Sequence, residues 1–210
     1  MIAQKKTETV TRRPKQVRSK ARMNDILNAT KTLLADNNTN CLKMGDIAQV
    51  AGVTVSSIYQ YFPNKGAIVK VLAQAYLDEW SEQVAARVNG ITSIADIREM
   101  SLSMLNDFYH RYESDPVLQE IWIGSAHDKS FENMDLEHTR VIHELLYNAV
   151  CHFYSEESRP TLKNSILLSL HLGGSAIRLA LTQSKEEGDR IMEIFIQQTL
   201  KGITGLLLAK

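Results

Sequence analysis

The sequence contains few residues that crosslink a chain and no apolar run long enough for a membrane. Its two cysteines, Cys41 and Cys151, are far apart and have no close-spaced partner, so we predict neither a disulfide framework nor a zinc knuckle. The longest apolar-rich run, residues 166–181, is interrupted by His171, two glycines and Arg178, and it is too short to span a bilayer. The first residues carry lysines without a following apolar stretch, so we expect no secretory signal. These absences predict a cytoplasmic protein with no membrane partner.

The chain also lacks an overall excess of charge, because 24 Lys and Arg residues balance 24 Asp and Glu residues. The two ends nevertheless differ: residues 1–70 hold 12 basic and 4 acidic residues, whereas residues 71–210 hold 12 and 20. A positive N-terminal module accumulates at a polyanion, while an acidic remainder stays away from it. A basic disordered tail on a neutral domain gives the same composition, so the charge pattern leaves both interpretations open.

Strand patterns are scarce as well. No stretch alternates polar and apolar residues with period two for long enough to indicate a strand, and the four prolines stand where helices begin or end. Apolar residues recur at helical spacing instead. The predicted fold class is therefore all-α with about nine helices, over residues 18–35, 44–51, 55–62, 65–88, 94–112, 117–126, 133–154, 161–182 and 186–208.

Sequence signatures of catalysis and of metal binding are missing too. We find no glycine-rich phosphate loop and no nucleophile elbow. His138 and His143 are five residues apart, a spacing at which a helix places two metal ligands poorly, and the neighbouring Glu144 does not change that. The sequence therefore predicts a protein that is not an enzyme and that needs neither a metal nor a cofactor.

The sequence does contain two short predicted helices joined by a turn at Gly52, preceded by a longer helix, which are the elements of a helix-turn-helix. Apolar residues hold the second short helix against the first: Ile47, Ala48, Ala51, Val53, Ile58 and Phe62. Helical spacing turns the remaining residues of the second short helix and its cap toward solvent: Thr54, Val55, Ser56, Ser57, Tyr59 and Gln60. A small, uncharged, polar edge of this kind suits the major groove of DNA. We expect Thr54 to cap this helix and Asn64 to cap the next one.

Residues 47–65, IAQVAGVTVSSIYQYFPNK, resemble the helix-turn-helix of the TetR/AcrR family of bacterial transcriptional regulators. The shared positions are the Gly-Val pair, the first tyrosine, the Tyr-Phe pair and the closing lysine, and the likeness covers residues 18–70. It implies a DNA-binding domain over residues 18–65, with the helix-turn-helix near 43–62, and an effector-binding and dimerisation domain over residues 66–210. It also implies a ligand-responsive repressor that binds a palindromic operator in double-stranded DNA as a homodimer and is released by a small effector. The abundance of methionine and aromatic residues in the larger domain indicates that this effector is apolar.

The resemblance further implies roles for individual residues. Val55 and Ser56, with Thr54 beside them, occupy positions from which family members contact base edges. Phosphate contacts are implied for Ser57, Tyr59, Tyr61 and Lys65. Lys43 departs from the family, which mostly has Ser or Thr there as a helix cap; lysine cannot cap and opposes the helix dipole. We therefore expect Lys43 to contact a phosphate.

A basic segment precedes the first predicted helix and continues into it. Residues 12–22 carry six basic residues in eleven and no acidic one. We expect residues 1–17 to form a flexible arm that follows the DNA backbone or enters the minor groove, through Arg12, Arg13, Lys15 and Arg18. A merely solvating tail is the alternative.

The remaining residues are expected to dimerise and to bind the effector. Stripes at helical spacing on the last two helices predict a dimer interface, formed by Leu168, Leu172, Ser175, Leu179, Ile191 and Phe195; packing within one monomer is the alternative. The residues expected at the effector pocket are Met104, Phe108, Tyr112, Trp122, His143, Tyr147, His171 and Arg178. The rival to a ligand-responsive regulator is a DNA-associated structural or cell-division factor without a small-molecule effector. Either protein would be cytoplasmic and associated with the nucleoid.

Overall fold

The structure, a computed structural model, describes residues 12–36, 41–125 and 128–208. This part of the chain is helical and contains no strand, which confirms the predicted all-α fold class. Its helices are α1 (Arg12–Asp36), α2 (Met44–Val50), α3 (Val55–Tyr59), α4 (Lys65–Val88), α5 (Ile94–Ser114), α6 (Pro116–Gly124), α7 (Lys129–Val150), α8 (Arg159–Leu181) and α9 (Lys185–Leu208), with one 3₁₀ turn at Cys151–Phe153. None of the described helices is long and apolar enough to cross a membrane.

The chain divides into two compact units, Met1–Leu72 and Ala73–Lys210. In the first unit, α2 packs against both α1 and α3. The largest fully buried side chains of this unit are Ile26, Leu34, Ile47, Ile58, Ile68 and Leu72, and Phe62 is buried with them. The buried Thr30 hydroxyl donates to the carbonyl oxygen of Ile26 at 2.8 Å, so this core contains no unsatisfied hydroxyl at that position. Ile47, Ile58 and Phe62 are buried, as their predicted role in holding α2 and α3 together requires.

The turn between α2 and α3 is built on a left-handed glycine. Gly52 has a φ angle of 64°, and no other described residue has a positive φ. The Gly52 amide donates to the carbonyl oxygen of Gln49 at 3.3 Å, and the Val53 amide donates to that of Ala48 at 3.0 Å. These are the paired hydrogen bonds of a Schellman motif. Glycine adopts this backbone conformation without the steric conflict that a Cβ atom introduces.

Replacing Gly52 by alanine is expected to lower the free energy of unfolding of the first unit by about 1–2 kcal/mol. An added Cβ meets no heavy atom within 4 Å, so the loss comes from the left-handed backbone alone. Gly45 is the matched control, because it is equally open and lies in α2, where alanine favours the helix by up to about 1 kcal/mol. Urea denaturation measures both variants. If the Gly52→Ala variant were as stable as the unsubstituted protein, the turn would not depend on glycine.

The second unit is a helical bundle in which α8 packs against α7 and α9, and α5 packs against α6, α8 and α9. Short polar side chains fix where its helices begin. Ser93 and Asp96 form a capping box at α5, and Asp115 caps α6 immediately before Pro116. The core of this unit consists of Trp80, Val84, Ile97, Met104, Ile142, Leu146, Val150, Tyr154, Leu162, Ile166 and Ile203.

The helices α1 and α7 begin several residues earlier than predicted. α1 begins at Arg12, so residues 12–17, which were predicted to belong to the flexible arm, are helical in the structure. Pro14 is compatible with this start because it falls in the first turn, where its missing N–H is not needed. α7 begins at Lys129 rather than at residue 133, because the Asp128 carboxylate accepts hydrogen bonds from two backbone amides of the first turn.

Candidate nucleic-acid interface and effector cavity

α3 presents a small polar edge to solvent, while its opposite side is buried. Ile58 is fully buried, whereas Val55 is 39% and Tyr59 is 54% exposed, and Ser56 is exposed as well. Thr54 caps α3 as predicted: its hydroxyl accepts a hydrogen bond from a backbone amide of the first turn at 3.2 Å. The same hydroxyl lies 3.0 Å from that of Ser56. The three residues predicted to contact bases therefore stand together on the solvent side of the start of α3.

The residues predicted to contact phosphates also belong to the first unit. All of them are exposed or half-buried: Lys43, Ser57, Tyr59, Tyr61 and Lys65. Asn64 caps α4 as predicted, because its Oδ1 accepts a hydrogen bond from the Ala67 amide at 2.9 Å. The first turn of α4, which Lys65 begins, is thereby fixed in place. A helix N-terminus next to a lysine favours an anion.

The basic residues predicted for the arm lie at the start of α1. Three of them belong to the helix, but their side chains lie outside the described part of the structure: Arg12, Arg13 and Lys15. Arg18, Lys20 and Arg22 are exposed. These exposed cations are available to a polyanion.

Lys43 occupies the N-cap position of α2 without capping it. Its backbone is extended (φ −121°, ψ 145°), and its side chain makes no capping hydrogen bond, because an ammonium group has no acceptor. We expect Lys43→Ser to raise the free energy of unfolding of the first unit by about 1 kcal/mol, since serine caps well. The same change is expected to weaken DNA binding and to reduce its salt dependence by the amount that corresponds to about one lost phosphate contact per subunit. Urea denaturation and DNA titrations at several salt concentrations measure the two effects.

Lys43→Arg is the control for this prediction, because it keeps the positive charge and adds no cap. We expect both its stability and its DNA affinity to stay close to those of the unsubstituted protein. If Lys43→Ser gained stability and kept the full salt dependence, Lys43 would not contact a phosphate.

A cavity of about 190 Å³ lies within the second unit, and each of the helices α4 to α9 contributes to its wall. Most of the lining is apolar, and four aromatic rings follow one another along it. The ring centroids are 5.1 Å apart for Trp80 and Phe108, 5.2 Å for Phe108 and Tyr112, and 5.9 Å for Tyr112 and Trp122. A concave, apolar and aromatic lining with few polar groups is typical of a site for a small organic molecule.

Polar groups enter the cavity wall from α5 and α7. The Trp122 indole donates to Oδ1 of Asp135 at 3.2 Å. Nε2 of His138 lies 2.9 Å from the carbonyl oxygen of Leu77 and 2.8 Å from the hydroxyl oxygen of Ser81. Because a carbonyl only accepts, whereas a hydroxyl oxygen can also accept, we assign the hydrogen to Nε2. Burial lowers the pKa of His138, which favours the neutral ring at pH 7. Burial, and then the nearby Asp135 carboxylate, raise the pKa of Tyr112, so its hydroxyl stays protonated.

Most of the predicted pocket residues line this cavity: Met104, Phe108, Tyr112, Trp122, His171 and Arg178. His143 and Tyr147, which were predicted with them, do not line it. Nε2 of the buried His143 lies 2.9 Å from the carbonyl oxygen of Lys163, and Tyr147 stacks on His143. The cavity side of α7 is instead formed by Asp135, His138, Thr139, Ile142, Leu146 and Val150. His143 is turned about 100° from Ile142 along the helix and contacts Lys163 instead.

The sequence-based prediction missed the polar pair Asp135 and His138, and it missed Tyr76 and Leu77 of α4. The available signal was that Asp135 and His138 are three residues apart and continue the apolar stripe of α7, so that they share one helix face. The pair does not form a metal site: among the described residues, no group of three or more His, Cys, Asp or Glu side chains is placed to hold a metal ion.

An exposed apolar strip runs along α8 and α9. Its large side chains are 45–61% exposed: Leu168, Leu172, Leu179 and Ile194. Ser175 is exposed as well, whereas Ile191 and Phe195 are half-buried. The Phe195 ring packs toward Gly173 of the same chain, 3.6 Å from where a Cβ atom would lie, so part of the predicted interface serves the contact between α8 and α9. Contiguous exposed apolar side chains mark interaction surfaces.

Two family models match the chain. Residues 26–72 match a model described as bacterial regulatory proteins, tetR family. Residues 95–195 match a model described as tetracyclin repressor-like, C-terminal domain. No functionally curated protein matches the sequence.

Several solved structures share the fold. A TetR-family transcriptional regulator from Streptomyces coelicolor is 20% identical with a TM-score of 0.67, over 89% of this chain and 99% of that chain. A TetR-family regulator from Pectobacterium atrosepticum is 15% identical with a TM-score of 0.68, over 91% of this chain and 97% of that one. RolR, in complex with resorcinol, is 17% identical with a TM-score of 0.59, over 89% of each chain. At these identities the likeness shows the fold alone.

Proposed function

The chain belongs to the TetR family of bacterial transcriptional regulators, and on that premise we propose that it is a ligand-responsive repressor. It binds a palindromic operator as a homodimer on the nucleoid and leaves the operator when a small molecule occupies the cavity of the second unit. The observation that carries this proposal is the small polar edge of α3, which is exposed while Ile58 and Phe62 are buried. A helix that presents small residues in this way can approach base edges closely.

The proposed DNA contacts divide into base readout and phosphate binding. Val55 meets a thymine methyl group and Ser56 bonds a base edge, with Thr54 beside them at the cap of α3. The phosphate contacts, which position the protein without reading sequence, come from Lys43, Ser57, Tyr59, Tyr61 and Lys65. Arg18 and the residues before it follow the backbone or enter the minor groove.

The proposed homodimer forms through the exposed strip on α8 and α9. Covering Leu168, Leu172 and Leu179 removes large apolar side chains from water, which is favourable by about 25 cal/mol per Å² of buried apolar surface. A twofold axis presents two copies of α3 to DNA, and an operator read by two identical helices is an inverted repeat.

The proposed regulation uses α4 as the link between ligand and DNA. Lys65 begins α4, and Tyr76, Leu77 and Trp80 of the same helix line the cavity. A ligand that binds better when α4 is tilted shifts the protein toward that conformation and changes the separation of the two recognition helices. Only a difference in ligand affinity between the two conformations is needed.

Mutations are expected to separate base readout from phosphate binding. Lys65→Ala should weaken binding to every DNA sequence and lower the salt slope by about two for a dimer, since each subunit loses one phosphate contact. Tyr59→Phe should also weaken binding across sequences. Ser56→Ala should change the preferred base at one position of each half-site, by about 1–3 kcal/mol. Fluorescence anisotropy with DNA from upstream of the protein's own gene, at several salt concentrations, measures all three. Unchanged affinity in all three variants would overturn these contacts.

The rival function is a DNA-associated structural or cell-division factor of the same fold without a small-molecule effector. Such a factor has no use for a ligand cavity, and the 190 Å³ cavity in the second unit favours the ligand-responsive regulator. Genome-wide occupancy distinguishes the two functions, because a repressor occupies few operators and a structural factor occupies many sites.

A further inference from the structure

We propose that the effector is an uncharged molecule with a single aromatic ring and a short apolar substituent, bound through a hydroxyl group among Tyr112, Asp135 and His138. This inference rests on the proposed function in one respect, namely that the molecule bound in the cavity is the effector. The chemistry of binding is independent of any effect on DNA.

The size and lining of the cavity favour a single ring. Its volume is about 190 Å³, and an apolar protein cavity of about 150 Å³ binds benzene. Trp80, Phe108, Tyr112 and Trp122 follow one another along the wall with centroids 5.1 to 5.9 Å apart. Aromatic rings at such distances pair edge to face or offset, so a ligand ring finds partners in this series. The methionines Met100 and Met104 also line the cavity, and they adapt to an apolar substituent.

The polar groups at the cavity wall are mainly hydrogen-bond acceptors. Nε2 of His138 lies against the Leu77 carbonyl oxygen and the Ser81 hydroxyl oxygen. With the hydrogen assigned to Nε2, Nδ1 of the neutral ring is an acceptor, and no partner for Nδ1 is found among the described residues. Asp135 accepts one hydrogen bond from Trp122 through Oδ1, and its second oxygen accepts as well. The Tyr112 hydroxyl is a donor whose partner is likewise absent from the described part of the chain.

A hydroxyl group satisfies this arrangement because one atom both donates and accepts. Its hydrogen goes to Asp135 or His138, and its oxygen accepts from Tyr112. A ligand carboxylate would lie near the Asp135 carboxylate and would have no hydrogen to donate. A ligand cation would meet Arg178 and Arg111, which also line the cavity. Arg111 is already paired with Glu79 at 2.8 Å, so Asp135 and Arg178 contribute one charge of each sign to the wall. A charged ligand would lose its hydration in this mostly apolar cavity without meeting an excess of opposite charge, so a neutral ligand is favoured.

The test uses three probes that differ in one group: para-propylphenol, its methyl ether, and para-propylbenzoate. The full-length protein is titrated with each, and binding is followed by intrinsic fluorescence and by calorimetry. Both tryptophans of the chain, Trp80 and Trp122, line the cavity, so their fluorescence reports directly on occupancy. We expect the phenol to bind about 10- to 100-fold more tightly than the ether, which has lost the donated hydrogen bond, and more tightly than the benzoate.

Two substitutions, each with a matched control, assign the contact to the named residues. Asp135→Asn should weaken phenol binding about tenfold and leave ether binding unchanged, whereas Glu137→Gln, an exposed neighbour on α7, should change neither. Tyr112→Phe should likewise weaken the phenol selectively. Tyr109→Phe is its control, because that hydroxyl is bonded to Asp189 at 3.0 Å and does not line the cavity.

The inference is overturned if the phenol and the ether bind equally, if the benzoate binds most tightly, or if none of the probes binds. Failure of this inference can be distinguished from failure of the proposed function, because DNA release is measured independently by anisotropy. If the phenol binds with the expected selectivity and the affinity for DNA does not change, the ligand class stands and the proposed regulation fails.

Discussion

The double substitution Leu168→Asp and Leu172→Asp is expected to convert the proposed homodimer into monomers and to lower affinity for a two-site operator by about 10²–10⁴-fold. Both leucines are largely exposed on the single chain, and the proposed interface buries them. A carboxylate buried there without a partner is strongly unfavourable. A monomer also loses the advantage of binding two half-sites at once. Sedimentation velocity gives the oligomeric state, and fluorescence anisotropy gives the operator affinity.

Val141→Asp is the matched control for this double substitution. Val141 is 52% exposed, similar to the two leucines, but it lies on α7 and outside the exposed strip of α8 and α9. We expect this variant to remain a dimer with unchanged operator affinity. A stable dimer of the double variant would place the interface elsewhere on the molecule. If both variants dissociated into monomers, the exposed strip of α8 and α9 would not be the specific dimer interface.

Ile58→Ala is expected to destabilise the first unit by about 2–5 kcal/mol and to abolish operator binding. Ile58 is fully buried and anchors α3, the helix whose exposed edge is proposed to read DNA. A loss of this size is a large part of the roughly 5–15 kcal/mol that stabilises a typical domain. The second unit should be unaffected, and because both tryptophans belong to it, their fluorescence reports on it separately. Circular dichroism melting and hydrogen exchange measure the change in the first unit.

Val50→Ala is the control for the Ile58 substitution, because Val50 is exposed on α2 and its truncation leaves no cavity. Its stability and DNA affinity should stay close to those of the unsubstituted protein. If Ile58→Ala kept full operator affinity, α3 would not be the recognition element. If tryptophan fluorescence changed together with the first unit, the two units would not unfold independently.

The helix-turn-helix was predictable from sequence because its determinants are local. The positive φ at Gly52, the Thr54 cap and the Asn64 cap each depend on residues within one turn of the chain, and such short-range rules read directly from the sequence. The start of α7 was missed although its signal is also local, because the single Asp128 cap stands ahead of the apolar stripe. Boundaries of this kind are less certain than the existence of a helix.

The cavity was only partly predictable because its wall is assembled from six helices that are distant in the sequence. Periodicity identifies the faces of α7 but not which neighbour each face meets. His143 and Tyr147 are chemically suitable for a ligand site, yet they lie against Lys163. Asp135 and His138 share the face that meets the cavity. Which face turns inward is decided by packing against other helices, and the periodicity within one helix does not show it.

The most direct test of the central claim is selection of operator DNA by the full-length protein from a pool of random duplexes, followed by affinity measurement. We expect the selected duplexes to share an inverted repeat, and we expect affinity for it to exceed that for a scrambled duplex by at least about 10³-fold at physiological salt. Binding that shows no inverted repeat, with equal affinity for selected and scrambled duplexes, would contradict a dimeric, sequence-specific regulator.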